Sequence, residues 1–231
     1  MDHMKVGKKM GIADNLKNVK DNIKAACDRA GRAYDTVTLI AVSKTKPNEM
    51  IMEAYDAGIR DFGENHVQEL VGKMDTLPDD IRWHMIGHLQ TNKVKYIVGR
   101  VCMIHSVDTL KLAREISKEA VKKNVTVAVT VEVNIAGEES KFGGTLSEGE
   151  ELVREVSKLP GIEVKGLMCV APYTENAEDN RIYFKNLKTM ADKLGLRALS
   201  MGMSGDYEVA VEEGATYVRV GSSIFGARNY N

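Results

Sequence analysis

The pattern that decides the fold is VTLIAVSKTKPNEMIMEAYDAG, residues 37–58. Its first six residues, 37–42, are β-branched or aliphatic apart from Ala41, which is typical of a buried strand. Pro47 is suited to the first turn of a helix, and the apolar residues after it recur at helical spacing until Gly58. The stretch therefore predicts a strand followed by a helix.

The same strand-helix unit recurs until eight can be counted, after an opening helix that starts at Ile12 and stops at Gly31. The predicted strands are residues 37–42, 59–62, 81–86, 101–104, 125–133, 162–170, 196–201 and 216–220. Alternation of this kind needs parallel strands joined by covering helices, and eight units close into a (β/α)8 barrel. We therefore expect an α/β fold, a single TIM barrel with an extra N-terminal helix. The alternative is an open doubly wound sheet, which would be wide at eight strands.

Composition limits the classes of function. The 32 basic and 33 acidic side chains leave a net charge of −1, so no overall field draws the chain to nucleic acid or to an anionic membrane. The three cysteines lie far apart without C-x-x-C spacing, and the histidines show no ligand spacing, so no metal is predicted. No apolar run approaches a membrane span and no linker divides the chain. We expect one cytoplasmic domain, residues 1–231.

Two lysines follow the first predicted strand. In a barrel the reactive groups lie at the carboxyl ends of the strands. The stem of Lys44 would be buried and its amine would reach the mouth, where desolvation lowers a lysine pKa and makes the amine nucleophilic. Lys46 has the same parity, so the pattern does not separate the two. Either lysine could instead simply extend into solvent.

Glycine-serine loops follow predicted strands seven and eight, with Ser204 in the first loop and Ser222 and Ser223 in the second. Such loops can turn the chain and cap helices, but two side by side favour a phosphate site built from backbone N–H groups and hydroxyls. Arg219 in the last strand fits the barrel interior or a core salt bridge. A strand-end lysine, a phosphate cradle on the opposite side of the mouth and an inward arginine suit a phosphorylated aldehyde, for which pyridoxal 5′-phosphate (PLP) is the obvious candidate.

Six motifs stand in order at fitting intervals between about residue 14 and residue 228: IAVSKTKP (40–47), FGEN (62–65), WHMIGHLQTNK (83–93), GLM (166–168), LSMGMS (199–204) and VRVGS with IFG (218–226). Together they closely resemble the pyridoxal phosphate homeostasis proteins. That family is similar to the barrel domain of alanine racemase without the racemase's second, β-rich domain. The resemblance therefore implies an alanine racemase N-terminal domain-like barrel.

The resemblance also implies a set of cofactor-binding residues, which are Lys44, Asn65, His84, Ser200, Gly202, Ser204, Arg219, Gly221 and Ser222. Lys44 would form the PLP aldimine. Ser204, Gly221 and Ser222 would hold the phosphate, in a loop shaped by Ser200 and Gly202. Arg219 would face the pyridine nitrogen. Asn65 and His84 are similar to residues that line the mouth, although either could only fasten its own loop.

The implied function is a PLP-binding protein of intracellular PLP homeostasis, which stores or delivers the cofactor without strong catalysis. The cationic Arg219 disfavours a proton on the pyridine nitrogen and so weakens the ring as an electron sink. An opposing tyrosine, which two-base racemases take from their second domain, is not expected, so we predict no catalytic residue. The alternatives are a small PLP-dependent amino acid racemase and a module that hands PLP to apo-enzymes. Amino acids are expected as transimination ligands, and the protein is expected to be a monomer.

Overall fold

Eight parallel strands alternate with helices along residues 11–138 and 141–227, the part of the chain that the computed structural model describes. The strands are β1 (Thr38–Val42), β2 (Asp61–Glu64), β3 (Arg82–Met85), β4 (Met103–Val107), β5 (Val127–Glu132), β6 (Ile162–Met168), β7 (Ala198–Ser200) and β8 (Tyr217–Val220). Each strand pairs with the next along the chain, and β8 pairs with β1 to close the barrel. The predicted TIM barrel is confirmed and the open sheet is excluded. The predicted domain, residues 1–231, extends beyond the described residues.

The helices are α1 (Ile12–Arg29), α2 (Asn48–Asp56), α3 (Val67–Met74), α4 (Val94–Ile97), α5 (Leu110–Lys123), α6 (Leu146–Val156), α7 (Arg181–Lys193), α8 (Tyr207–Glu212) and α9 (Ser222–Phe225). Short 3-10 helices cover Tyr34–Thr36, Thr91–Lys93 and Ala177–Asn180. Within the described ranges, no helix is both long and apolar enough to cross a lipid bilayer.

The predicted extra N-terminal helix is α1, and it packs against α8 and α9. Its apolar residues, spaced three or four apart, form one buried face that includes Leu16 and Ile23. The side-chain amide of Asn15 donates a hydrogen bond to the carbonyl oxygen of Ile224, 2.9 Å away. Helix α1 therefore holds the short helix α9, which follows the last strand, against the barrel.

The strand order decides where the predicted site lies. Because all eight strands are parallel, their carboxyl ends meet on one face of the barrel. Because β8 pairs with β1, with Ile40 opposite Arg219 and Ala41 opposite Val220, the loop after β8 is a neighbour of the lysine-bearing loop after β1. The expectation that the phosphate cradle lies on the opposite side of the mouth from Lys44 is therefore wrong, since barrel closure makes the first and last strands adjacent.

Candidate functional site

Lys44 lies at the mouth of the barrel, half-buried, in a turn that β1 enters through the fully buried Ser43. The Ser43 hydroxyl donates to Oε1 of Glu64 at the end of β2, 2.5 Å away. Nζ of Lys73, in α3, donates to the same carboxylate oxygen at 2.7 Å and to the carbonyl oxygen of Ser43 at 2.8 Å. Three elements are therefore tied together directly beneath Lys44.

The residue after the lysine is held in an uncommon conformation. Thr45 has a φ of 61°, in the left-handed region that threonine rarely adopts. Its backbone N–H donates to Oε1 of Glu69 at 2.6 Å, and Lys73 donates to that same oxygen at 2.6 Å. The turn that carries Lys44 is therefore fixed on both sides by one buried ammonium and its two carboxylates.

The Lys73–Glu64 pair is an ion pair in the interior. The Glu64 side chain is fully buried and that of Lys73 is 7% exposed. Burial raises the pKa of Glu64 against the opposing effect of Lys73. Among the described residues, Oε2 of Glu64 has no hydrogen-bond partner. Such a pair depends on both members, because either charge alone would be left unpaired in the core.

The structure separates the two lysines that the sequence pattern left equivalent. Nζ of Lys46 donates to the carbonyl oxygens of Phe225, Gly226 and Ala227, at 3.3, 3.3 and 3.4 Å. These carbonyl groups lie at the carboxyl end of α9, where cations are stabilised. Lys46 therefore fastens the chain after the last strand, and its ammonium is directed to backbone rather than to the centre of the mouth.

The loops after β7 and β8 meet through Ser204. Its hydroxyl oxygen accepts from the backbone N–H groups of Gly221 and Ser223, at 3.2 and 3.4 Å. No side chain among the described residues caps the first turn of α9 from its N-cap position, and its N–H groups can bind an anion that takes the place of the Ser204 hydroxyl. Two amides that converge on one hydroxyl oxygen fit an oxygen of a phosphate group. The two loops therefore form one cradle, which Ser222 also borders.

Two glycines of this cradle are closely packed, and the first of these positions requires glycine. Gly202 has a φ of +90°, and a Cβ there would lie 2.5 Å from Cβ of Ala210. A Cβ at Gly221 would lie 3.3 Å from the carbonyl oxygen of Val42, the last residue of β1. The loop after β8 therefore packs closely against the strand that leads to Lys44.

Arg219 lies inside the barrel with only 4% of its surface exposed. Its guanidinium donates to Oγ of Ser200 at 2.7 Å and to the carbonyl oxygen of Cys169 at 2.8 Å. Within the described residues it makes no salt bridge, which removes the core salt bridge as its explanation. Burial lowers the pKa of Arg219, but a guanidinium remains charged in proteins.

A chain of hydrogen bonds continues from Ser200 through the barrel. Oγ of Ser200 lies 2.7 Å from Nδ1 of His105 in β4, and Nε2 of His105 lies 2.9 Å from Nδ1 of His84 in β3. Nε2 of His84 lies 3.0 Å from Oδ1 of Asp61, the first residue of β2. Because β4 and β7 are not neighbours, the contact between His105 and Ser200 must cross the barrel interior.

Every hydrogen bond in this chain has its donor on the side of Arg219 and its acceptor on the side of Asp61. Arg219 can only donate, so the hydroxyl hydrogen of Ser200 is directed to Nδ1 of His105. Burial, together with His84 and Arg219, lowers the pKa of His105 well below its ordinary value, so this imidazole is neutral. His105 then donates from Nε2 to His84, which donates from Nε2 to Asp61. Burial alone would raise the pKa of Asp61, but the bonds from His84 and Arg82 lower it.

His84 does not line the mouth, in contrast to the expectation from the resemblance. Its side chain is buried beside Asp61 and Tyr217, the first residues of β2 and β8, and its ring centroid lies 5.9 Å from that of Tyr217. Its link to the mouth runs through His105 and Ser200. His84 is therefore placed to orient Arg219 rather than to touch a bound molecule.

Asn65 does lie at the mouth, directly after β2. It is half-buried, and its Oδ1 is buried without a hydrogen-bond partner among the described residues. A Cβ on Gly87 would lie 2.4 Å from the carbonyl oxygen of Asn65, so only glycine allows the loop after β3 to pass this close. An unused buried acceptor at the mouth fits a donor on a bound ligand.

Sequence reasoning missed a carboxylate at the end of β5. Glu132 is 6% exposed, and burial raises its pKa to about 7 against the opposing effect of Arg219. The only sequence signal was its place as the last polar residue of an alternating strand. Within the described part of the chain, no group of three histidine, cysteine or acidic side chains is arranged to hold a metal ion.

The comparisons with known proteins agree with this geometry. Residues 15–229 match the family model of the alanine racemase N-terminal domain. The chain is 47% identical to the pyridoxal phosphate homeostasis protein of Aquifex aeolicus, over 96% of this chain and 100% of that relative. The structure of PipY from Synechococcus elongatus with PLP bound superposes with a TM-score of 0.82 at 35% identity, over 93% of this chain and 100% of that one.

An alanine racemase of Clostridium difficile shares the fold alone. Its TM-score is 0.71 at 15% identity, and the match covers 94% of this chain but 58% of the racemase. Full-length identity above 30% is found instead with the homeostasis proteins. The chain therefore belongs to the pyridoxal phosphate homeostasis protein family, which is built on the alanine racemase N-terminal domain.

Proposed function

We propose that this protein binds PLP covalently through Nζ of Lys44 and stores or delivers it in the cytoplasm, without strong catalysis of its own. Ser204, Gly221 and Ser222 hold the phosphate, in a loop that Gly202 shapes. Arg219 faces the pyridine nitrogen and Asn65 lines the mouth. The name and the PLP-bound structure of its relatives support this function.

One observation carries the proposal. The lysine-bearing loop follows β1 and the phosphate cradle follows β8, and these two strands are paired neighbours. The backbone of Gly221 approaches Val42 so closely that a Cβ would lie 3.3 Å from the Val42 carbonyl oxygen. A small molecule with an aldehyde and a phosphate on adjacent ring substituents needs an amine and an anion site at short range, and these loops supply both.

The surroundings of Arg219 argue for storage rather than strong catalysis. When bound, PLP supplies an aldehyde that condenses reversibly with primary amines and a ring that withdraws electrons best when its nitrogen is protonated. A guanidinium offers that nitrogen only N–H donors, so Arg219 binds the unprotonated form. Ser200, His105 and His84 hold Arg219 in place from behind, which makes them positioning residues.

The alternative function, amino acid racemisation, needs an acid or base on the face opposite Lys44. Tyr173 is 95% exposed on the loop after β6. The hydroxyl of Tyr207 accepts from Nδ2 of Asn22 in α1, 3.0 Å away in the outer helical layer. The exposure of Tyr173 and the bond between Tyr207 and Asn22 direct neither phenol toward Lys44, and this favours a holder of PLP over a racemase. We further propose that the protein exchanges PLP with amines and transfers it to apo-enzymes as a monomer.

The decisive experiment is reduction with borohydride in the presence of PLP, followed by peptide mass spectrometry of wild type, Lys44→Ala and Lys46→Ala. We expect the stable adduct on the peptide that contains Lys44 in wild type and in Lys46→Ala, and none in Lys44→Ala. A stoichiometric adduct in Lys44→Ala would falsify the proposal. Incubation with L-amino acids in deuterated water tests the alternative, because sustained α-deuteration with turnover would identify an enzyme.

A further inference from the structure

A second cavity, of about 400 Å³, opens beside the proposed PLP position. It lies between the loops that follow β2, β3 and β5, and it is bordered by Asn65, Gln90, Lys93 and Phe142. Val42 pairs with Gly63, so Lys44 and Asn65 follow two residues later at adjacent strand ends. Asn65 therefore belongs both to this cavity and to the surroundings of Lys44. The proposed function assigns the cavity no role.

Lys93 gives the cavity a cation without a counter-charge. It is half-buried at the end of a 3-10 helix, and its ammonium makes no hydrogen bond or salt bridge among the described residues. Two carboxylates on the surrounding elements are already engaged. Asp108 accepts from Nδ1 of His88 at 3.1 Å, and Glu69 accepts from Lys73 and from the backbone of Thr45. An anionic group of a ligand can therefore bind this ammonium without displacing a carboxylate.

Asn65, which also borders the cavity, carries an acceptor. Oδ1 of Asn65 is buried and has no hydrogen-bond partner in the described part of the chain. A buried amide oxygen in this condition is destabilising unless a ligand donates to it. A primary amine that binds here would also lie next to the strand end that carries Lys44.

One wall of the cavity is flat and largely apolar. The rings of His88 and Phe142 stack with centroids 4.1 Å apart and an interplanar angle of 11°. The bond from His88 to Asp108 fixes the imidazole, and Phe142 remains 51% exposed although it is aromatic. An exposed aromatic face beside two polar groups fits a ligand with a hydrocarbon part.

We infer that this cavity binds an α-amino acid, with its amino group at Asn65, its carboxylate at Lys93 and its side chain against Phe142. The arrangement of acceptor, cation and apolar wall matches the three parts of such a molecule. The inference rests on the proposed function in one respect: it supplies the amine that exchanges with Lys44. Lys93 then determines specificity, since it favours amino acids over simple amines.

The test compares two probes, L-leucine and 3-methylbutylamine, which differ only in the carboxylate. Ligand-observed NMR titrations with the protein free of PLP measure their affinities for wild type, Lys93→Gln and Lys95→Gln. Lys95 is a matched control, because it is exposed on α4 with its ammonium 5.1 Å from the ring centroid of Tyr96. We expect Lys93→Gln to weaken L-leucine binding by roughly tenfold, as for a lost charge-assisted hydrogen bond, and to leave the amine unchanged.

The same titrations with PLP-loaded protein, followed by absorbance, measure whether Lys93 also controls the exchange of each probe with Lys44. Equal losses for both probes in Lys93→Gln, or no loss for L-leucine, would overturn the inference. A result in which Lys95→Gln matches Lys93→Gln would overturn it as well. If wild type takes up no PLP but still prefers L-leucine in the NMR titration, the proposed function fails while the amino acid site stands.

Discussion

Replacement of Glu132 by glutamine isolates one buried carboxylate at the mouth. Burial raises the Glu132 pKa from 4.5 to about 7, although Arg219 opposes this rise and Asp108 adds to it. A pKa raised on folding means that the native state binds the proton more tightly. The resulting stabilisation is complete below pH 4.5 and is lost as the pH rises through 7. Because each tenfold gain in proton affinity corresponds to about 1.4 kcal/mol, the loss is about 3 kcal/mol.

Glutamine resembles the protonated carboxyl group at every pH. Glu132→Gln should therefore equal wild type in free energy of unfolding near pH 4.5 and exceed it by about 3 kcal/mol at pH 8. Urea denaturation at four or five pH values measures the difference, in which other titrating groups cancel. The exposed Glu151→Gln on α6 is the control and should show no such trend. A difference that does not change with pH, or a less stable variant at pH 8, would refute the reasoning.

Two further substitutions probe the frame of the site. Lys73→Met should destabilise the fold by about 3–5 kcal/mol, because it leaves Glu64 charged and unpaired in the core, and a second change, Glu64→Gln, should recover part of the loss in urea denaturation. Gly202→Ala should cost about 1–3 kcal/mol, since its φ is +90° and the new Cβ would lie 2.5 Å from that of Ala210, and it should weaken PLP binding in a fluorescence titration. Gly205→Ala is its control, because a Cβ there meets no atom within 4 Å.

The barrel was predictable because hydrophobic periodicity and strand count are properties of the chain itself. The first and last residues of the strands were less predictable. The apolar pattern predicts residues 59–62 as the second strand, but β2 runs from Asp61 to Glu64, with Glu64 paired opposite Met85. The pattern counts apolar residues and therefore missed a carboxylate that the strand buries. Contacts from other elements, with Lys73 and with the Ser43 hydroxyl, make that burial possible.

The residues of the site show the same difference between local sequence signals and contacts with distant elements. The glycine-serine loops were recognisable because local sequence marks a tight turn. Local sequence also marked Lys44 as a residue that follows a strand, but it did not separate Lys44 from Lys46. His105 and Glu132 were not, because their meaning comes from partners brought near by closure of the barrel. His105 meets Ser200 across 95 residues of sequence. Likewise, residues 125–133 alternate in a way that is typical of a half-solvated strand, but Thr130 and Glu132 are both buried, because one face of the strand lies in the barrel interior and helices cover the other.

The fixed donor-to-acceptor order of the hydrogen bonds from Arg219 to Asp61 restricts which residues can replace Arg219. A carboxylate there would need the Ser200 hydroxyl to turn toward it, and His105 and His84 would each have to exchange tautomers in response. Nε2 of His84 would then present a lone pair to Asp61, and two acceptors would face one another 3.0 Å apart. A carboxylate in place of Arg219 would make the PLP ring a better electron sink, but this substitution is obstructed at Asp61, at the far end of the barrel. A change of chemistry would therefore require several coordinated substitutions.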